Sequence, residues 1–194
     1  RIGDQAADIA DLSKHIEDKA VTGNSINIRK MAEDTVRMVT ESIDAFVKGD
    51  LELCRKVIDD DDKVDNAFNE IKEKLVEILS SGSPDARLGL DILMAAKYFE
   101  RIGDHAENFA DFTKTEIKHN TGLTGDAKEE IKKMYTAVSK LLKLSLECFM
   151  EQDGVNKPEE KLAEIAILEA SIDKMERRYQ KHHIKRLAKG ECEP

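Results

Sequence analysis

Tryptophan is absent from this 194-residue sequence, aromatic residues make up 5% of it and proline occurs three times, while 37% of residues are charged. That composition leaves core building to Leu, Ile, Val, Met and Ala on long amphipathic helices. Cysteine is as scarce. Cys54, Cys148 and Cys192 are odd in number and show no CxxC spacing, which argues against a disulfide framework and points to reduced thiols in a cytoplasmic protein. Cys54 and Cys148 read as small core hydrophobes. No run of about 18 apolar residues is present, so nothing reads as a membrane span, and no secretory leader is recognisable. A Gly-rich phosphate loop, GxSxG, HExxH and a Cys-His pair are also missing, which argues against hydrolase or kinase chemistry and favours a non-enzymatic role. Basic excess is lacking too. The net charge of −9 and pI near 5.2 disfavour a nucleic-acid surface and favour cations.

What is present is an internal repeat. Arg1 to Leu12, RIGDQAADIADL, matches Arg101 to Phe112, RIGDHAENFADF, at seven of twelve positions. Around the second copy, Leu88, Ile92, Ala95, Phe99, Ile102, Ala106 and Phe109 follow a 4-3-4-3 spacing, one buried seam on a long helix. Glu100, Asp104, Asn108 and Asp111 form a second line beside that seam, at the edge of the core. The sequence opens at Arg1 inside a motif and is expected to be a fragment.

Taken in order, a helix tail over Arg1 to about Lys19 is broken by Gly23 and Asn24. A helix from Ile26 to Lys48 carries Ile28, Met31, Thr35, Met38, Ser42 and Ala45 inward and closes at Gly49. Asp50 is expected to cap Leu51 to Ser80, whose seam is Cys54, Val57, Asp61, Val64, Phe68, Ile71, Leu75 and Ile78. One member of that seam, Asp61, is an acid, with Asp65 a turn further on. A buried carboxylate requires a basic partner, a proton or a metal.

Ser83 and Pro84 are placed to start the motif helix, which runs to about His119. Asn120 to Gly125 is a linker, followed by an expected capping box of Asp126 and Glu129. The helix from Asp126 to Gln152 has its seam at Ile131, Met134, Val138, Leu141, Ser145 and Cys148. A connection through Asn156 and Pro158 leads to the last helix, Glu159 to about Leu187, with Ile165, Leu168, Ile172, Met175 and Tyr179 inward and a basic end.

Four acidic i, i+4 sites stand out: Asp61/Asp65, Glu100/Asp104, Glu169/Asp173, and Asp4, whose partner would precede Arg1. Asp8 extends the Asp4 line as Asn108 extends that of Asp104. An isolated acidic line is ordinarily a solvated face. Recurrence at equivalent places, and the interruption of a core seam by Asp61, favour cation sites instead. Carboxylate-only donors suit iron(III), Mn²⁺, Mg²⁺ or Ca²⁺ over copper, with zinc a weaker fit. Glu116-x-x-His119 is a lone Glu-x-x-His at a helix end, His105 reads as a hydrogen-bonded neighbour of the acids, and His182 and His183 read as complements to the helix dipole.

ERIGDHAENFADF resembles the signature helix of the PhoU family of phosphate-uptake regulators. KGDLELCRKVIDDDDKVDNAF resembles the acidic second helix of a PhoU repeat. The resemblance implies an all-α protein of two three-helix bundles with its first helix truncated: residues 1–20 as the tail of a first-repeat helix, 24–119 as a complete repeat, and 125–194 as a helix pair that 1–20 would complete. It implies a metal cluster, often iron, at Asp61, Asp65, Glu100 and Asp104, and a second at Glu169, Asp173 and Asp4. As partners it implies a phosphate-transporter ATPase and a sensor histidine kinase, so that the membrane is reached only through partners. Pairing between the chains of a homodimer is a further expectation. HHIKRLAKGEC resembles the PhoU-type cytosolic tail of bacterial sodium/phosphate cotransporters, an alternative reading within the class. A carboxylate-bridged metalloenzyme is the reading from another class, and it would need an open coordination position and a substrate pocket.

Overall fold

A computed structural model of the chain describes residues 1–14, 26–82, 86–119, 123–150 and 159–191. They form six α-helices: α1 (Ile2–Ser13), α2 (Ile28–Lys48), α3 (Leu51–Ser80), α4 (Ala86–His119), α5 (Gly125–Met150) and α6 (Glu159–Ala188). There is no strand among the described residues. The expected breaks at Gly23, Asn24, Ser83, Pro84, Asn156 and Pro158, and Cys192, lie outside them.

The helices make two three-helix bundles, α2-α3-α4 and α1-α5-α6, which touch through α1 with α4 and α2 with α5. In the first bundle the turn between α2 and α3 is as the residues dictate. Gly49 takes a left-handed conformation at φ 66° that a side chain would resist. The Asp50 carboxylate then accepts from the N–H groups of Glu52 and Leu53 at 3.1 and 3.0 Å. With so short a connection α3 must run back along α2, and Lys56 meets Glu41 across the pair. Helix α4 is antiparallel to α3, because Gly89 lies against Leu79 while Gly103 lies against Asp61 and Val64.

Leu88, Ile92, Ala95, Phe99, Ile102 and Ala106 of α4 are all buried, as are the six inward residues expected of α2, whereas Phe109, expected in the same seam, is only half-buried. Full burial of each larger apolar side chain contributes about 1.5–3 kcal/mol. On α3 the expectation needs correction. The deeply buried acid is Asp60, 3% exposed, whereas Asp61 is only partly buried. Helix α3 packs against α2 as well as α4, so its buried face is wider than one seam, and a step of roughly 100° around the helix turns Asp60 toward α2. There it is bonded to Lys63 and stands 3.7 Å from Arg37 and 3.5 Å from Lys56. Burial pushes its carboxyl up, but the bond to Lys63 and the charges of Lys63, Lys56 and Arg37 outweigh burial and hold it below the ordinary value.

In the second bundle α5 and α6 are antiparallel, linked by Lys140 to Glu164 at 2.5 Å and Lys161 to Glu147 at 3.0 Å. Helix α1 lies on both, with the backbone at Gly3 against Leu141 and Ile172. Two expectations are corrected here. The cap of α5 is Thr124, whose hydroxyl accepts from the Ala127 N–H at 3.3 Å, while Asp126 sits in the first turn. The seams are also shallower than their spacing suggests: Ile131, Met134, Val138, Leu168, Ile172, Met175 and Tyr179 are half-buried, and Ile165 alone is buried on α6.

Candidate metal centre

Antiparallel packing brings the acidic middle of α3 against the signature segment of α4. One carboxylate oxygen from each of Asp61, Asp65 and Asp104 lies within 4.8 Å of the other two. Oxygens sharing a Ca²⁺-sized ion at 2.3–2.6 Å are separated by at most about 4–5 Å, so the spacing suits one cation. The signature glycine makes room at this point. A Cβ on Gly103 would stand 3.4 Å from Asp61 Oδ1, at ordinary contact distance, so glycine leaves that oxygen a gap which alanine would fill.

The electrostatics demand positive charge. Asp61 Oδ1 is buried without a hydrogen-bond partner. Burial, then the charges of Glu107, Asp65, Asp104 and Asp62, push the Asp61 carboxyl up to about 7. Glu107 is raised as well, by burial and then by Asp104, Asp111, Asp65 and Asp62. No cationic side chain forms an ion pair with Asp61, Asp65 or Asp104 among the described residues. An unpartnered oxygen, an all-oxygen donor set and crowded like charges fit a hard cation such as Ca²⁺, Mn²⁺, Mg²⁺ or iron(III).

The other residues expected at this centre are placed differently. Glu100 shares the α4 face with Asp104, but its Oε1 accepts from Lys97 and its ligand atoms lie outside the three-acid group, while Oε2 is buried without a partner. Asn108 spends its amide on its own helix, donating to the Asp104 carbonyl at 2.6 Å. His105 lies instead on a cavity of about 410 Å³ between the bundles, with Tyr135, Ile172 and Glu176. Burial and the positive charge at Arg1 hold His105 below its ordinary value.

Glu107 was missed in the sequence. It falls three residues after Asp104 and so shares its flank of the helix, a signal masked by the stronger i, i+4 line through Asn108.

The second set of expected residues also gathers. Burial, then the charges of Asp4, Asp173, Asp8 and Asp11, raise the Glu169 carboxyl, so acids of α1 and α6 face one another. Asp173 is paired with Arg177 at 3.1 Å, and Asp8 stands near Tyr98, whose hydroxyl is raised by burial and then by the Asp8 charge. Among the described residues no three ligand atoms there converge as closely as those of Asp61, Asp65 and Asp104.

Fold and site define an all-α protein of paired helical bundles with carboxylates converging between two helices. Residues 28–113, the segment that holds the site, match the family model described as PhoU domain. The chain thus carries a PhoU domain over these residues. It is similar to a phosphate-specific transport system accessory protein PhoU homolog 1 of Methanothermobacter thermautotrophicus, 31% identical over 114 residues, 58% of this chain and 52% of that protein. It is also similar to a phosphate-specific transport system accessory protein PhoU homolog of Pseudomonas aeruginosa, 31% identical over 137 residues, 68% of this chain and 56% of the relative. The chain thus spans about half the length of these curated relatives. No solved structure matches it. No described helix is long and apolar enough to cross a membrane.

Proposed function

We propose that this chain is a cation-binding regulator of phosphate uptake and phosphate signalling that acts by protein–protein contact. The relatives named above are accessory proteins of phosphate-specific transport systems, which supports the phosphate assignment. The observation that carries the cation is the convergence of Asp61, Asp65 and Asp104 within 4.8 Å across two helices.

Iron is the first choice from the family resemblance, with Mn²⁺, Mg²⁺, Ca²⁺ and zinc as alternatives. Asp61, Asp65 and Asp104 would hold the ion first, with Glu100 one turn away on α4 as a further donor and Glu107 in the surrounding shell. A second site would use Glu169, Asp173, Asp4 and Asp8. When bound, the ion supplies positive charge that offsets carboxylate repulsion. The protein's own part is to hold α3 and α4 in a fixed register and so fix the outer bundle faces that partners read. Those partners are a phosphate-transporter ATPase and a sensor histidine kinase, in a cytoplasmic protein that pairs as a homodimer. The two bundles are two copies of one repeat, α1 serving the second as α4 serves the first.

Elemental analysis of protein purified without chelator tests this directly. Stoichiometric metal that is lost in Asp61→Asn supports the proposal. Metal-free protein that also fails to take up Fe, Mn²⁺ or Ca²⁺ on titration contradicts it.

A further inference from the structure

One carboxylate of the α3/α4 acidic site differs from its neighbours by having a cation of the chain's own. Lys97 Nζ donates to Glu100 Oε1, and the Glu100 side chain is 13% exposed against 38% for Lys97. The lysine comes three residues before the glutamate. That is the less favourable order along a helix dipole, in which acid before base is preferred, so helix propensity does not account for the pair. Oε2 of Glu100 is buried with no hydrogen-bond partner, leaving half of the carboxylate unused.

The ammonium group also has a second seat. Lys97 Nζ stands 5.2 Å from the centre of the Phe68 ring on α3, within the range at which a ring face attracts a cation. Phe68 is placed there by the antiparallel register that sets Asp61 and Val64 against Gly103. Glu100 is one helical turn from Asp104 on the same face, so a change of side-chain rotamer would carry its carboxylate toward the group of three.

We propose that Lys97 is a tethered counter-ion that holds Glu100 in reserve, competes with a metal cation for it, and shifts onto Phe68 when the carboxylate turns to the ion. Lys97 thus sets the affinity of the centre and makes Glu100 a ligand that is recruited late. The inference rests on the cation reading of the Asp61 site above and deepens it. Lys97 is a positioning residue that touches no metal.

Isothermal titration of chelator-treated, dialysed protein with Mn²⁺ tests it, using wild type, Lys97→Met, Lys97→Gln, Lys97→Arg, Glu100→Gln and the double variant Lys97→Met/Glu100→Gln. Methionine and glutamine keep much of the stem and remove the charge. Both are expected to tighten Mn²⁺ binding about 5- to 10-fold, and arginine to stay within about twofold of wild type. In the Glu100→Gln background, Lys97→Met is expected to bring no gain, because the competition has lost its object. Lost packing alone does not tighten metal binding, so the direction separates competition from a structural role. Without metal, Lys97→Met is also expected to melt below wild type, by leaving Glu100 without its cation, and to recover on adding Mn²⁺. Binding by wild type that Asp61→Asn abolishes, with Lys97→Met and Lys97→Gln unchanged or weaker, overturns the Lys97 role and leaves the cation site standing. Absence of Mn²⁺ binding by folded wild type overturns both.

Discussion

Asp60 and Asp61 are adjacent in sequence and opposite in physics. Asp60 faces α2 and is ringed by Lys63, Lys56 and Arg37, whereas Asp61 faces α4, where the charges that act on it are those of carboxylates. Removing charge must therefore have opposite effects at the two positions. Asp60→Asn leaves three cations without their common partner and is expected to cost roughly 1–3 kcal/mol, on the order of 5 °C in melting temperature for a chain of this size. Asp61→Asn relieves repulsion and is expected to raise the melting temperature of metal-free protein at pH 8. Differential scanning calorimetry of the two variants, run with chelator, measures both signs.

The same pair fixes the pH response. Asp61 in the folded chain titrates near 7, above its ordinary value of 3.8, so between these values the folded state holds a proton that the unfolded state has released. Metal-free stability is expected to fall as pH rises from about 4 to about 7 and to bear the full penalty above. Asp60 acts the other way. Its lowered value stabilises the fold above the ordinary carboxylate range, and that contribution is lost as pH falls through the folded value. Melting curves between pH 4 and 8 in the presence of chelator give a declining limb toward neutrality in wild type. That limb is expected to be reduced in Asp61→Asn and retained in Asp60→Asn.

At the scale of the element, α4 and α6 are nearly equal in length and unequal in anchorage. Helix α4 buries eleven residues and α6 only Ile165. The far end of α6 is held by polar contacts instead. Glu130 of α5 is bonded to His182 and accepts from Arg186 at 3.0 Å. Burial pushes the Glu130 carboxyl up, but these two partners outweigh it and hold it below its ordinary value. Glu130→Ala is expected to release that end, raising amide exchange over residues 180–188 at least tenfold with little change in α4, as hydrogen-exchange mass spectrometry would show.

Sequence periodicity served the elements unequally, for a physical reason. On α2 and α4 the apolar spacing named a seam that is buried except at Phe109, but it left out Ala32, Val39, Ala96 and Ala110, because these helices too are packed on more than one side. On α3 it pointed to the wrong acid, since that helix is gripped on two sides and a one-residue step decides between a ring of cations and a ring of acids. On α5 and α6 the spacing was clear but said nothing of how deeply the seam is covered, which depends on helices distant in sequence. The acids Asp61, Asp65 and Asp104 were legible as i, i+4 lines. The diversion of Glu100 to Lys97, and of Asn108 to a backbone carbonyl, was not, because a side chain's rotamer is settled by its neighbours in space.

For the whole molecule, whose net charge is −9, like charges gather at two helix crossings: acids of α3 meet those of α4, and acids of α1 meet those of α6. Screening should therefore mimic part of what a bound cation does. Raising NaCl from 0.02 to 0.5 M, about 20 to 4 Å in screening length, is expected to stabilise metal-free wild type and to do so less for Asp61→Asn. On the proposed function the cation would connect site and surface, because the two helices it would tie together also carry outer faces of the bundle.

The most direct test of the central claim is the melting temperature of chelator-treated wild type at pH 7.5, before and after titration with Mn²⁺ or iron, alongside Asp61→Asn. At a cation concentration about a hundred times its Kd, linkage gives roughly 2.7 kcal/mol of stabilisation, or on the order of 5–10 °C. The account predicts that rise in wild type and none in Asp61→Asn. An unchanged midpoint in wild type, or an equal rise in both proteins, would contradict it.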